Sequence, residues 1–129
     1  MQKKRQHIED DHQEALIKWF NLQYPKELMY CIPNQLIRSC QQAIIMAKRG
    51  LISGMPDVVV AKAKAPWHSL YIELKQPSLK NVPRGGVSDA QQRVIRHLLS
   101  RRFKVLVCYG WDEAREAIKA YMENGKDAR

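Results

Sequence analysis

Residues 54–75 read GMPDVVVAKAKAPWHSLYIELK, and this stretch decides which fold the chain adopts. Two runs, Val58–Val60 and Leu70–Lys75, carry the β-branched and aromatic residues that are typical of strands. A turn containing Gly54 and Pro56 precedes the first run, and a polar loop separates the two runs. The stretch therefore predicts two adjacent strands joined as a hairpin.

Alternation along the second strand divides its side chains between the two faces of a sheet. Side chains two residues apart share a face, which predicts a core-facing apolar set and an opposite polar set. The core-facing set is Leu70, Ile72 and Leu74, and the opposite set is Tyr71, Glu73 and Lys75. Two interpretations of Glu73 and Lys75 are open: a surface ion pair worth about 0–1 kcal/mol, or a catalytic pair.

Asp57 precedes Glu73 by 16 positions and begins the first strand. A hairpin would bring the two side chains together. Their carboxylates and the backbone carbonyl of Leu74 would then offer hard oxygen ligands to one Mg²⁺, with water completing the octahedron. The alternative for Asp57 is a turn residue after Pro56, a position where Asp is common.

Hydrophobic periodicity predicts the remaining elements. The predicted helices are 8–24, 35–49, 88–102 and 111–122, and the predicted strands are 28–32, 58–60, 70–75 and 103–108, with a loop at 76–87. The inward side chains are expected to be Ile8, His12, Ala15, Leu16, Trp19 and Leu22 on the first helix, and Leu36, Ile37, Ala43, Ile44 and Ala47 on the second. The order α-β-α-β-β-α-β-α favours one α/β domain over residues 1–129, with a small mixed sheet flanked by helices and short flexible termini at about 1–5 and 124–129.

Composition indicates an anionic partner and a reducing compartment. The chain has 22 Lys and Arg against 13 Asp and Glu, a formal net charge of +9, which favours polyanions because neutralised phosphates release counterions. A merely soluble cationic protein would have the same balance. Three cysteines without CxxC spacing argue against disulfides and structural zinc, so a cytoplasmic location is expected. Apolar runs are shorter than the roughly 20 residues of a membrane span, so no membrane is expected as a partner.

Three motifs occur in a specific order: GMPD at 54–57, IELK at 72–75 and S-x-x-Q at 88–91. With this order the chain resembles the VRR-NUC domain family of the PD-(D/E)xK nuclease superfamily, and above all small stand-alone members from phages. The resemblance extends over nearly the whole chain. It implies a restriction-endonuclease-like core and an endodeoxyribonuclease that depends on Mg²⁺ or Mn²⁺.

The family pattern also implies a role for each matching residue. Asp57 and Glu73 would be metal ligands together with the carbonyl of Leu74, and Lys75 would lie beside the attacking water. Gln91 would be a polar helper on the third helix. The alternative for Gln91 is a capping box with Ser88, in which the two residues bond each other's backbone, and the two roles are compatible.

An acidic residue of the first helix also belongs to the pattern, four positions before the glutamine that matches Gln13. This residue is Glu9, expected to act through the metal's water shell or on a second ion. Glu9 lies at the edge of the apolar stripe, whereas Glu14 points largely away. Asp10 remains a rival.

Basic residues on the third helix and the flanking loops are candidates for phosphate contact, although such residues also form ordinary solvated surfaces. The candidates are Arg93, Arg96, Lys62, Lys64, Lys80 and Arg84. The small stand-alone relatives resemble Holliday junction resolvases, so the resemblance implies branched DNA as substrate and a homodimer. The alternatives are a non-catalytic basic DNA-binding accessory protein and a sequence-specific restriction-type nuclease.

Overall fold

The helices and strands follow the predicted order in the computed structural model, which describes residues 2–33, 39–124 and 126–127. They are α1 (Gln2–Gln23), β1 (Met29–Cys31), α2 (Cys40–Lys48), β2 (Val58–Val60), β3 (Lys64–Ala65), β4 (Leu70–Lys75), α3 (Asp89–Ser100), β5 (Lys104–Tyr109), α4 (Trp111–Glu123) and β6 (Lys126–Asp127). Two short 3₁₀ turns, Pro77–Leu79 and Pro83–Gly86, occupy the predicted loop. Residues 35–38 of the predicted second helix, including Leu36 and Ile37, lie outside the described residues.

A mixed sheet with the strand order β1-β2-β4-β5 forms the centre of the fold. β1 pairs with β2 and β2 pairs with β4 in antiparallel fashion, whereas β5 runs parallel to β4. Val58 pairs with Ile72 and Val60 with Leu70. The predicted hairpin is therefore confirmed, and its open end lies at Asp57.

Two short strands were not predicted from the sequence. β3 lies inside the polar loop of the hairpin and pairs with β6 close to the end of the chain. Each has two residues, too few to show a periodicity, and each exists only because the other is brought to it from far along the chain. β6 falls within the segment 124–129 that was expected to be a tail.

The hydrophobic core lies between one face of the sheet and the helices α1 and α4. The sheet contributes the buried side chains of β2 and β4, and Leu16 and Phe20 of α1, one helical turn apart, pack against it. Ala114 and Ile118 of α4 complete this layer. The predicted core-facing set of the second strand is confirmed, since each of its three members is at most 1% exposed.

Two predicted inward faces are wrong in part. Leu22 is 76% exposed, and Phe20 takes the core position instead. On α2, Ile44 is 58% exposed, Ala47 is exposed, and none of the helix's residues is buried. Among the described residues, no buried layer forms against the apolar positions of α2.

α1 is longer than predicted. It begins at Gln2 instead of at residue 8, so it includes part of the segment expected to be a flexible terminus. Within the described residues, none of the helices has the length and apolar character needed to cross a membrane.

Candidate active site

The open end of the hairpin fixes Asp57 against β4. The backbone N–H of Asp57 donates at 3.0 Å to the carbonyl of Ile72, the residue that pairs with Val58. The backbone N–H of Leu74 donates to Oδ2 of Asp57 at 2.7 Å, so the carboxylate turns towards β4. These two bonds hold the Asp57 carboxylate beside Glu73, so the hairpin brings the two side chains together.

Glu73 and Lys75 form a buried polar cluster with Gln91. Lys75 Nζ lies 3.4 Å from Oε1 of Glu73 and 3.1 Å from Oε1 of Gln91. The side-chain amide of Gln91 donates to Oε1 of Glu73 at 2.9 Å. Glu73 is 4% exposed and Lys75 8%. The surface ion-pair interpretation of these two residues is therefore wrong, because a surface pair would be open to solvent.

Gln91 makes the bonds of the capping box and also contacts Glu73 and Lys75. Its backbone N–H donates to Oγ of Ser88 at 3.1 Å, and its Oε1 accepts from the N–H of Ser88 at 2.9 Å. The same side chain bonds Glu73 and Lys75. The capping box thus holds Gln91 in one orientation at the first turn of α3, and this orientation lets its amide bridge the two charged groups.

Gly54 determines how closely α3 approaches the site. It has a φ of +90°, and a Cβ atom there would lie 2.5 Å from the backbone carbon of Ala90. The loop before Asp57 therefore packs directly on the first turn of α3, beside Gln91. The sequence indicated a turn at Gly54 but not this contact, because its partner is 36 residues away.

Glu9 is the acidic residue of α1 that reaches this cluster. Its Oε1 lies 3.4 Å from the backbone nitrogen of Gln76, the residue after β4. Asp10 lines a surface groove with Gln13 and Lys18. The structure therefore favours Glu9 over Asp10.

The carbonyl of Leu74 is directed towards Asp57. Carbonyls two residues apart on a strand point to the same side, and the carbonyl of Ile72 accepts from the N–H of Asp57. The Leu74 carbonyl therefore faces the side of the strand where the Asp57 carboxylate lies, in agreement with the ligand set that the sequence suggested.

Burial disfavours the ionised forms of both carboxylates. Burial, followed by the charge of Asp57, raises the pKa of Glu73 from 4.5 to about 8, and Lys75 opposes this change. Burial raises the pKa of Asp57 from 3.8 to about 6, with a contribution from the charge of Glu9 and against the bond from Leu74. Lys75 thus offsets only part of the increase in pKa that burial and the neighbouring carboxylates cause.

These residues fit a divalent cation. Two adjacent carboxylates with excess negative charge and a nearby carbonyl are the oxygen donors that Mg²⁺ takes, with water filling the other positions. Within residues 2–33, 39–124 and 126–127, no three side chains of His, Cys, Asp or Glu are grouped closely enough to enclose an ion.

Comparison with known proteins shows to which family the chain belongs. The family model of the VRR-NUC domain matches residues 2–112. The chain belongs to the VRR-NUC family. A solved structure described as a "VRR_NUC domain protein" is similar, with a TM-score of 0.73 and 22% sequence identity over 89% of this chain and 88% of that chain. Its likeness confirms the restriction-endonuclease-like fold. No curated protein is significantly similar to the chain.

VRR-NUC domains are nuclease-type domains. In this domain the six predicted phosphate-binding residues do not lie together. Lys62 Nζ lies 2.8 Å from Oε1 of Glu27, and Lys64 in β3 is 9% exposed. Both follow β2 in the closed end of the hairpin, whereas Asp57 is at its open end. The structure does not bring these two lysines to the carboxylates.

The other four basic residues of this VRR-NUC domain are closer to the site or more open. Lys80 follows β4, at the carboxylate end of the sheet, and its Nζ lies 3.0 Å from Oε2 of Glu113. Arg84 lies in the same loop and pairs with Asp89. Arg93 and Arg96 are exposed on α3. At 100° per residue, Arg93 points almost opposite to Gln91, so it is available for contact outside the cluster.

The stability of the metal-free VRR-NUC domain is expected to fall as pH rises from about 5 to about 8. In this window the folded protein holds protons on Glu73 and Asp57 that the unfolded chain has already released, because both pKa values are raised. The free energy of unfolding decreases with pH wherever the folded state binds more protons. Thermal unfolding in EDTA at several pH values would measure this fall. Glu73→Gln should reduce it, and an unchanged pH dependence in that variant would contradict the assignment.

Proposed function

We propose that the chain is a DNA endonuclease that hydrolyses phosphodiester bonds with Mg²⁺ or Mn²⁺. The observation that carries the proposal is the convergence of Asp57, Glu73 and Lys75 at the open end of the hairpin, with Gln91 bridging Glu73 and Lys75. A buried cluster with a raised pKa at two carboxylates is costly for stability. We infer that the protein retains this destabilising cluster because the cluster is needed for activity.

Each residue of the cluster has its own role in the proposed reaction. Asp57, Glu73 and the carbonyl of Leu74 would hold the ion, with Glu9 in contact through water. A bound divalent cation supplies Lewis acidity at the scissile phosphate and lowers the pKa of water. Lys75 orients the attacking water and stabilises the negative charge that develops on the phosphate, an effect strengthened by its burial. Gln91 holds the ammonium of Lys75 in place.

The overall reaction is hydrolysis at phosphorus. Water attacks the phosphorus atom, the bond to the 3′ oxygen breaks, and the products carry a 5′-phosphate and a 3′-hydroxyl. The water's proton passes to solvent, and the leaving oxygen takes a proton from solvent.

Basic residues near the candidate active site support contact with the DNA backbone. Lys80 and Arg84 extend from the loop that follows β4, and Arg93 and Arg96 are exposed on α3. Together with the net charge of +9, they offer a cationic border beside the carboxylates. Lys62 and Lys64 would at most contact DNA that extends past the closed end of the hairpin.

We further propose a homodimer that acts on branched DNA such as Holliday junctions. The exposed apolar side of α2 supports it: Ile44 is 58% exposed and Ile45 47%. A nine-residue helix without buried residues is marginal by itself, and a second copy would cover it. A two-fold symmetric dimer would also suit a substrate with near two-fold symmetry, such as a four-way junction.

A cleavage assay tests the proposed function directly. The purified chain is incubated with a four-way junction, a flap and a plain duplex, each with Mg²⁺, Mn²⁺ or EDTA. We expect cutting with either ion, none in EDTA, and the highest rate on branched DNA. Binding without cutting under every condition would instead support the DNA-binding accessory protein. Cutting of plain duplex at one particular sequence would support the restriction-type nuclease.

A further inference from the structure

The N-terminal half of α1 carries Glu9 ahead of the part of the helix that packs into the core. Among the side chains described from residue 7 onward, Leu16 is the first buried one in this helix. Glu9 lies seven residues earlier, almost two turns away. Its position relative to Asp57 and Glu73 therefore depends on contacts made before Leu16.

His12 makes such a contact with α4. The backbone N–H of Trp111, the first residue of α4, donates to Nδ1 of His12 at 3.0 Å. The N-cap residue of α4 is Gly110, which has no side chain to accept from the first amides. A Cβ atom at Gly110 would lie 3.6 Å from Cε1 of His12, so the imidazole packs directly on this turn. His12 thus caps a helix to which it does not belong.

The same turn is bonded to the strand that carries Glu73 and Lys75. The backbone N–H of Gly110 donates to the carbonyl of Lys75 at 2.9 Å. Consecutive amides of the turn therefore bond β4 on one side and α1 on the other. One helical turn before His12, Glu9 approaches the nitrogen of Gln76, directly after Lys75. Three hydrogen bonds, each donated by a backbone amide, therefore connect His12 and Glu9 with the turn and with the end of β4.

We infer that His12 is a positioning residue that sets Glu9 against the carboxylates of Asp57 and Glu73 through the amide of Trp111. The inference rests on the proposed function, because it assigns Glu9 to the water shell of the ion. The imidazole itself touches neither substrate nor reacting atoms. It holds α1 at a fixed distance from the end of β4.

Hydrogen exchange tests the geometric part without any activity. We compare His12→Ala, which removes the acceptor, with His12→Asn, whose Oδ1 takes the place of Nδ1; both lack the ring. In His12→Ala, the amides of Trp111 and Gln76 should exchange about tenfold faster, the scale of a lost capping bond. His12→Asn should restore slow exchange at both amides, although Asn is a poorer helix former than Ala. Faster exchange at Trp111 alone would mean that His12 only caps α4, and would overturn the inference.

A double-mutant cycle tests the functional part. His12→Ala should raise the Mn²⁺ concentration for half-maximal cleavage about tenfold, the effect of removing a residue that orients a metal's surroundings. In a Glu9→Gln background the same change should have no further effect on the Mn²⁺ requirement. Equal effects in both backgrounds would overturn the inference. His7→Ala, an exposed histidine on the same helix, is the control and should behave as the wild type.

The two proposals fail in different ways. If the wild-type chain cuts DNA but the cycle is additive, the role of His12 is wrong and the proposed function stands. If the wild-type chain cuts nothing with either ion, the proposed function is wrong, and the exchange of the Gln76 amide still decides whether His12 positions Glu9. If His12→Ala does not fold, His12→Leu removes the acceptor while filling the space, and the same comparison with His12→Asn applies.

Discussion

Replacing Glu73 by Gln is expected to abolish cleavage, lowering the rate by at least about 10²–10³-fold. Gln has the same length, and its Oε1 can accept the bond that Gln91 donates at 2.9 Å, so the fold should be retained. One carboxylate ligand is lost, and the charge of Asp57 alone attracts a divalent ion weakly. The metal-free variant should also be more stable than the wild type near pH 8, because burial disfavours the ionised Glu73.

Rates on junction DNA and thermal unfolding with and without Mn²⁺ measure these effects. Mn²⁺ should raise the Tm of the wild type but not that of Glu73→Gln, since only ligands that bind the folded state stabilise it. Lys75→Met is the matched variant in the same cluster, and it should lose cleavage while keeping the Tm shift. A Glu73→Gln protein that cuts at the wild-type rate, or a Lys75→Met protein without a Tm shift, would contradict the roles assigned here.

Replacing Gly54 by Ala is expected to disrupt both the stability and the active site. The backbone of Gly54 has a φ of +90°, and the added Cβ would lie 2.5–2.8 Å from backbone atoms of Ala90 and Gln91. Backbone strain of this kind costs roughly 1–3 kcal/mol, and the contact adds to it because backbone atoms of a helix cannot turn aside. The first turn of α3 must move, and Gln91 moves with it away from Glu73 and Lys75.

Gly50 offers the matched control for this prediction. It has a φ of +101°, but a Cβ atom there would meet nothing within 4 Å. Gly50→Ala should therefore lose stability from the backbone conformation alone and should keep cleavage. Denaturant unfolding and cleavage rates of the two variants separate the effect of backbone strain, which both share, from the effect of the contact with α3, which only Gly54→Ala has. Equal activity in both variants would show that the contact between Gly54 and α3 does not position Gln91.

The hairpin was predictable because its determinants are local. Its two strands are adjacent in the sequence, and alternation places Glu73 and Lys75 on the same face. The hairpin then puts Asp57 at its open end, with its carboxylate beside Glu73. The capping box of Ser88 and Gln91 was equally readable, since its bonds span three residues.

The exposed positions of Leu22 and Ile44 were not predictable by the same means. A helical period shows which side chains share a face, but it does not show whether another element covers that face. For α1 the sheet and α4 cover the turn of Leu16 and Phe20 and leave Leu22 open. For α2 no buried layer forms among the described residues.

By itself the sequence determined the order of the longer elements, the core face of β4 and the acidic and basic residues at its end, because these depend on neighbours within one element or hairpin. Only the tertiary structure decided that Glu9 approaches Gln76, that Gly54 touches α3 and that His12 caps α4. These contacts join residues 67, 36 and 99 positions apart. A contact across such a separation depends on how all intervening elements pack, and no local pattern encodes that.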